Sequence, residues 1–215
     1  MKQAKLVVFD LDGTLVDSSQ DLATALNRTL VWAGAAPLEP AVVLSLVGEG
    51  ARRLIEKAAA ARSLTQSVDE LLAVFLATYR EVLLEQTRLY PGMDELLTAR
   101  LPPRRLAVLT NKPGDMSRAI LSGLGVAHCF DWIWGAGDVP ARKPDPVGLR
   151  RLLAAAAVAP HEAALIGDSA IDVRTARGAG VAAIGVTYGF SPASLDQEPP
   201  DVRVANVTEL AALFG

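Results

Sequence analysis

The sequence predicts an α/β protein: a doubly wound parallel sheet with a Rossmann-like core and an inserted helical-bundle cap domain. Three features carry that expectation. The apolar runs "LVVF", "RLAVLT", "AALIG" and "VAAIGV" are short and uninterrupted, as strands covered on both faces must be. Stretches of helical periodicity separate the later runs, and such alternation favours parallel strands joined by right-handed crossovers. Residues 16–87, by contrast, hold helical spacing and no convincing strand. At 215 residues and 51% hydrophobic, the chain can bury a substantial core in one large domain or two small ones.

In chain order, residues 5–10 read as the first strand, built on Leu6, Val7, Val8 and Phe9. Ser18 or Ser19 caps the helix that follows, in which Leu22, Ala25, Leu26, Thr29, Leu30 and Ala33 recur on one face until Gly34 stops it. Pro40 begins a short helix ending near Val47, the loop "VGEGAR" breaks it, and Leu54, Ile55 and Ala58 continue helically to Arg62. Ser67 precedes a long amphipathic pattern that runs from Val68 to Leu83. From "LYPGM" the rhythm changes. The strand "RLAVLT" leads to a helix whose first turn lies at Pro113 and whose end is Gly125. Then come the strand "DWIWG", the helix "DPVGLRRLLAAAAV", the strand "AALIGD", the helix "SAIDVRTARGAG" and the strand "VAAIGV". The predicted division is a core of residues 1–15 and 88–215 with a cap of residues 16–87.

Composition narrows the partners. A net charge of −3 and the absence of any Lys/Arg run beyond the pairs Arg52-Arg53 and Arg150-Arg151 argue against nucleic acid. The longest apolar stretches are too short to span a bilayer. One cysteine, Cys129, excludes an internal disulfide and favours a reducing compartment; with no signal-peptide pattern at the amino terminus, a cytoplasmic location is expected. His128 and His161 lack ligand spacing, and Trp132 and Trp134 read as packing residues. The expected state is monomer or homodimer.

Ligands of an open parallel sheet sit beyond the carboxyl ends of its strands, where Asp10, Thr110 and Asp168 each stand. Gly13 lets the chain turn sharply, so that Asp12 can fold back to face Asp10. "GDSAID" adds Asp172 one helical turn after Asp168. Neighbouring carboxylates repel unless a cation lies among them, and oxygen ligands without His or Cys favour Mg2+ over zinc. Thr110 offers a hydroxyl, Asn111 an amide and a backbone N–H, and Lys143 an ammonium; with Mg2+ they form a cradle for a phosphate dianion. Asp17 and Asp138 are read as cap or turn residues.

The motifs "DLDGT" (Asp10 to Thr14), "LTN" (Leu109 to Asn111), "KPDP" (Lys143 to Pro146) and "GDSAID" (Gly167 to Asp172) stand in the order found in the haloacid dehalogenase-like hydrolases, which the chain resembles along essentially its whole length. The resemblance implies that Asp10 is a nucleophile forming an aspartyl-phosphate and that Asp12 is the general acid and later the base. It implies that Thr110 and Lys143 hold the phosphoryl group, and that Mg2+ is bound by Asp10, the carbonyl of Asp12 and Asp168, with Asp172 assisting. The inserted helices correspond to that family's cap. The loop "VGEGARRLIEKA", "LYPGM" and "GVTYGF" are similar to those of phosphoglycolate phosphatases, which implies a small phosphorylated substrate, 2-phosphoglycolate first. The alternatives are a phosphatase for a different small metabolite, such as a sugar phosphate, nucleotide or pyrophosphate; a phosphosugar mutase; and a non-catalytic phospho-accepting module. Gly48, Glu49 and Gly50 are expected near the ligand, Gly13 and Asn111 at its phosphate, and Arg53, with Arg52 or Lys57, at a substrate carboxylate.

Overall fold

A computed structural model describes residues 1–101 and 103–215. The chain runs β1 (Leu6–Phe9), β2 (Val16–Asp17), α1 (Ser19–Trp32), α2 (Pro40–Ser45), α3 (Ala51–Ala61), α4 (Val68–Val82), β3 (Arg88–Leu89), α5 (Met93–Glu95) and a π-helical turn Leu96–Arg100. It continues with β4 (Arg105–Pro113), α6 (Gly114–Gly123), β5 (Trp132–Ala136), α7 (Val147–Ala156), β6 (Ala163–Gly167), α8 (Ala170–Ala179), β7 (Ala182–Val186), α9 (Ser194–Gln197), β8 (Val202–Val204) and α10 (Val207–Ala212).

The six-stranded sheet has the order β5-β4-β1-β6-β7-β8, and its neighbours are parallel. Phe9 on β1 is level with Val108 of β4 on one side and Ile166 of β6 on the other. After β1 the chain builds outward through β4 and β5, then crosses to the opposite side for β6, β7 and β8. The winding therefore reverses at β1, and the crevice that such a reversal opens lies beyond the carboxyl ends of β1, β4 and β6.

The uninterrupted apolar character of β1 follows from its position. Val7 and Phe9 enter the larger buried cluster, while Leu6 and Val8 enter a second cluster on the other face with Leu149, Leu152 and Leu165. The larger cluster continues into the inserted helices through Leu26, Leu54, Phe75 and Tyr79. Core and insert thus share apolar burial, at roughly 1.5–3 kcal/mol for each large side chain withdrawn from water. Trp132 and Trp134 pack on the second cluster, and Cys129 packs, partly buried, against the first.

Some elements were not anticipated. β2 and β3 pair antiparallel, Val16 opposite Leu89 and Asp17 opposite Arg88, at the point where the chain leaves and re-enters the core. β8 and α10 extend the sheet beyond the last predicted strand. β4 continues to Pro113, past the predicted run, and α6 starts immediately after it. We propose the ribbon β2–β3 as the seam between the core, residues 1–15 and 88–215, and the cap, residues 16–87.

Asp21 fastens that seam. Its side chain is buried on the first turn of α1 and accepts hydrogen bonds from Gln86 N (3.0 Å), Thr87 N (2.8 Å) and Thr87 Oγ1 (2.7 Å), so the outgoing and returning connections are tied together. Asp21→Ala strands the buried backbone and hydroxyl donors of Thr87 and should lower stability by about 2–4 kcal/mol. In urea the transition midpoint should fall with the slope unchanged.

Candidate active site

β1 delivers Asp10 into the crevice, where Asp10 Oδ1 accepts from Leu11 N at 2.7 Å. The chain then doubles back: Gly13 N donates to Val16 O at 2.9 Å, and Asp12 bridges to Val16. Gly13 has φ +76°, and a Cβ there would lie 2.4 Å from Asp168 Oδ2, so both conformation and space require glycine. Tyr188 packs its ring on Tyr90 with centroids 4.6 Å apart and donates from its hydroxyl to Thr14 O at 3.1 Å. The segments "LYPGM" and "GVTYGF" therefore meet beside the "DLDGT" turn.

Ser18 occupies the cap position of α1 without serving as its cap. Its hydroxyl donates to Asp12 Oδ1 at 2.5 Å, and Asp17 takes over the capping duty by accepting from Ser19 N at 3.0 Å. Asp12 also accepts from Lys112 Nζ, at 2.7 Å to Oδ1 and 3.0 Å to Oδ2. Lys112 hydrogen-bonds Tyr79 Oη as well, and burial pushes the Tyr79 phenol up to about 12. Burial pulls the Lys112 ammonium down, but Asp12 and Tyr79 outweigh it and hold its pKa above the ordinary lysine value.

β4 supplies Thr110 and Asn111, both buried. Asn111 is fully engaged by backbone: Nδ2 donates to Gly48 O (3.1 Å) and Lys143 O (3.0 Å), and Oδ1 accepts from Lys143 N (2.9 Å). It thereby holds the cap loop and the lysine-bearing loop against the crevice. Lys143, its side chain 3% exposed, reaches Asp10 Oδ1 at 2.9 Å and Asp172 Oδ1 at 2.6 Å. Burial opposes that charge, yet Asp10 and Asp172 prevail and raise the Lys143 pKa.

β6 and the turn after it bring Asp168 and Asp172. Asp168 Oδ2 accepts from Phe190 N (2.6 Å) and Ser191 N (3.1 Å), and Asp172 Oδ2 accepts from Ser169 N (3.2 Å) and Ser169 Oγ (2.7 Å). Asp10, Asp168 and Asp172 each present an oxygen within 4.8 Å of the others. Burial, with Asp172 and Asp10 adding to it, pushes Asp168 up to about 8. Burial, against the opposing pull of Lys143, pushes Asp10 up to about 6. The cluster holds three acids, and the ammonium of Lys143 meets two of them, Asp10 and Asp172. An all-oxygen donor set of this kind fits a hard divalent cation.

A cavity of about 50 Å³ opens over Asp10 and Asp12, with Leu22, Leu54, Phe75 and Tyr79 of the cap among its walls. Gly48 and Gly50 line it too. Glu49 and Arg53 do not: Lys57 Nζ meets Glu49 at 2.5 Å, and Arg53 meets Glu56 at 2.5 Å and Glu49 at 3.8 Å. Arg52 pairs with Asp69. The expected basic contacts of the cap are thus satisfied by acids on their own side of the molecule. Sequence reasoning missed Lys112, Tyr79 and Ser18. Lys112 directly follows the matched "LTN", a lysine at the end of an apolar strand, and that was the available signal.

Such a fold and such a pair of aspartates, closed under a helical cap, define a capped α/β hydrolase with carboxylate chemistry. The chain belongs to the haloacid dehalogenase-like hydrolase family, whose model matches residues 7–186. It is 44% identical over 196 residues to a phosphoglycolate phosphatase of Rhodospirillum rubrum, covering 87% of this chain and 81% of that protein. With a phosphoglycolate phosphatase of Chromobacterium violaceum it shares 37% identity, covering 100% of this chain and 98% of the other. The crystal structure of a predicted phosphoglycolate phosphatase from Haemophilus somnus superposes with a TM-score of 0.95 at 31% identity over the full length of both chains. Among the described residues, no helix is long and apolar enough to cross a membrane.

Proposed function

We propose that the protein is a phosphoric monoester hydrolase acting on 2-phosphoglycolate through a covalent intermediate on Asp10. The observation that carries this reading is the cluster beyond the end of β1, where Asp10 pairs with Lys143 at 2.9 Å beside Asp12 and gathers with Asp168 and Asp172 into an all-oxygen group. Relatives that bear the name phosphoglycolate phosphatase, at 44% and 37% identity, support the same substrate.

Asp10 Oδ1 is engaged by Leu11 N and Lys143, and we assign Oδ2 to the attack on phosphorus. The bond from Asp10 to phosphorus forms as the ester P–O bond breaks, and Asp12 gives its proton to the departing oxygen. Asp12 then takes a proton from water, whose oxygen displaces Asp10 and releases inorganic phosphate. Thr110 and the N–H groups near Gly13 and Asn111 hold the phosphoryl oxygens, while Lys143 offsets charge on Asp10. Asp10, the Asp12 carbonyl, Asp168 and Asp172 would hold Mg2+, which would supply positive charge to those same oxygens. We assign the enzyme to the cytoplasm on the single cysteine alone.

The test is phosphate release with Mg2+ across 2-phosphoglycolate, hexose and pentose phosphates, nucleotides and pyrophosphate. 2-Phosphoglycolate should lead in kcat/KM by about tenfold or more, and a chelator should abolish turnover. Equal or better hydrolysis of a hexose phosphate would remove 2-phosphoglycolate and leave the hydrolase.

A further inference from the structure

We propose that Lys112 and Tyr79 form the subsite that binds the carboxylate of the leaving group, and so determine which phosphate ester is accepted. This deepens the 2-phosphoglycolate reading and rests on it. An ester whose alcohol part carries a carboxylate brings an extra anion into the cavity, and some cation must meet it there. Among the described residues lining the cavity, Lys112 is the sole cation. Arg52, Arg53 and Lys57 do not line the cavity and pair instead with Asp69, Glu56 and Glu49.

Position argues as strongly as charge. Lys112 Nζ lies 2.7 Å and 3.0 Å from the oxygens of Asp12, the group that faces the departing oxygen. In 2-phosphoglycolate one methylene separates the ester oxygen from the carboxylate, and ordinary bond lengths set its nearer oxygen about 3 Å from the ester oxygen. A leaving group in contact with Asp12 can therefore reach Lys112 with its carboxylate. Tyr79 accepts from Lys112, so its own O–H proton remains for an acceptor in the cavity. The surroundings strengthen such a contact, because the side chain of Lys112 is only 3% exposed and the adjoining walls, Leu22, Leu54 and Phe75, are apolar.

The two residues come from different parts of the chain, Tyr79 from α4 of the cap and Lys112 from β4 of the core. The subsite is complete only when the cap lies on the core, and carboxylate recognition is thereby coupled to closure.

The experiment compares 2-phosphoglycolate with ethyl phosphate, in which a methyl group replaces the carboxylate, for the Mg2+-loaded native enzyme and for Lys112→Gln, Lys112→Arg and Tyr79→Phe. The ratio of kcat/KM between the two esters should fall about 100-fold in Lys112→Gln and about tenfold in Tyr79→Phe, chiefly through KM for 2-phosphoglycolate, while Lys112→Arg retains most of it. Tyr79→Phe removes a single hydroxyl and keeps the test decisive should Lys112→Gln fail to fold. An unchanged ratio in the variants, with both esters slowed alike, would overturn the subsite and leave Lys112 as a support for Asp12. A native enzyme that does not distinguish the two esters would overturn the 2-phosphoglycolate reading, and the subsite with it.

Discussion

Asp10→Asn is expected to lower kcat by about four orders of magnitude or more while the protein stays folded. The substitution is isosteric, and the amide oxygen can still accept the Leu11 N–H that Asp10 Oδ1 accepts at 2.7 Å, so the turn at the end of β1 keeps its local bond. What disappears is the anionic oxygen. An amide is too weak a nucleophile to displace an alkoxide from phosphorus, and the ion pair with Lys143 at 2.9 Å becomes an ordinary hydrogen bond. Two readouts separate chemistry from folding. Single-turnover phosphate release should vanish, and acid-quenched protein should carry no phosphoryl label, whereas the far-UV circular dichroism should match that of the native protein. Native-like turnover in Asp10→Asn would remove Asp10 as the nucleophile.

Lys143→Met should be the most damaging substitution for the site as a whole. The side chain of Lys143 is 3% exposed and binds two of the acids in the cluster, Asp10 and Asp172. With the ammonium gone, Asp10, Asp168 and Asp172 face one another in a buried site with no cation from the protein among them. Removing one member of a buried ion pair costs about 3–5 kcal/mol, and loss of this charge at the phosphoryl group should reduce kcat by about a thousandfold. Mg2+ should restore part of the stability, because an ion that binds only the folded protein contributes about 2.7 kcal/mol at a hundred times its dissociation constant. Urea unfolding of both proteins, with Mg2+ and with a chelator, reads this directly. A loss below about 1 kcal/mol in chelator would show that the pairing of Lys143 with Asp10 and Asp172 contributes little to the fold.

Those two effects concentrate where the winding of the sheet reverses, and much of that region could be read from the chain itself. β1, β4 and β6 declared themselves because a strand buried on both faces needs continuous apolar sequence, which "LVVF" and "AALIG" supply. α1 and α4 were legible because their buried residues recur at helical spacing. β2 and β3 could not be seen in the same way: each is two residues long, shorter than any period. β8 spans only three residues and reads as a strand only through its pairing with β7.

The sequence alone determined the alternating α/β core, the inserted helices and the acids carried by "DLDGT" and "GDSAID", because each is a local pattern of spacing and turn chemistry. Only the tertiary structure decided which side chains face one another across the seam. Tyr79 repeats on α4 with Leu71, Phe75 and Val82, and periodicity cannot distinguish it from a core residue until its hydroxyl meets Lys112, 33 residues away. Arg53 was attractive as a ligand for an anion, but the next turn of its own helix brings Glu56 within reach and the loop before that helix brings Glu49. Asn111 lines the cavity as its place after the apolar strand suggested, but only the structure shows that its side chain also clasps Gly48 to Lys143. The physical reason is the same throughout: local sequence sets the face on which a side chain stands, but its partner is set by how that face packs against elements distant in the chain.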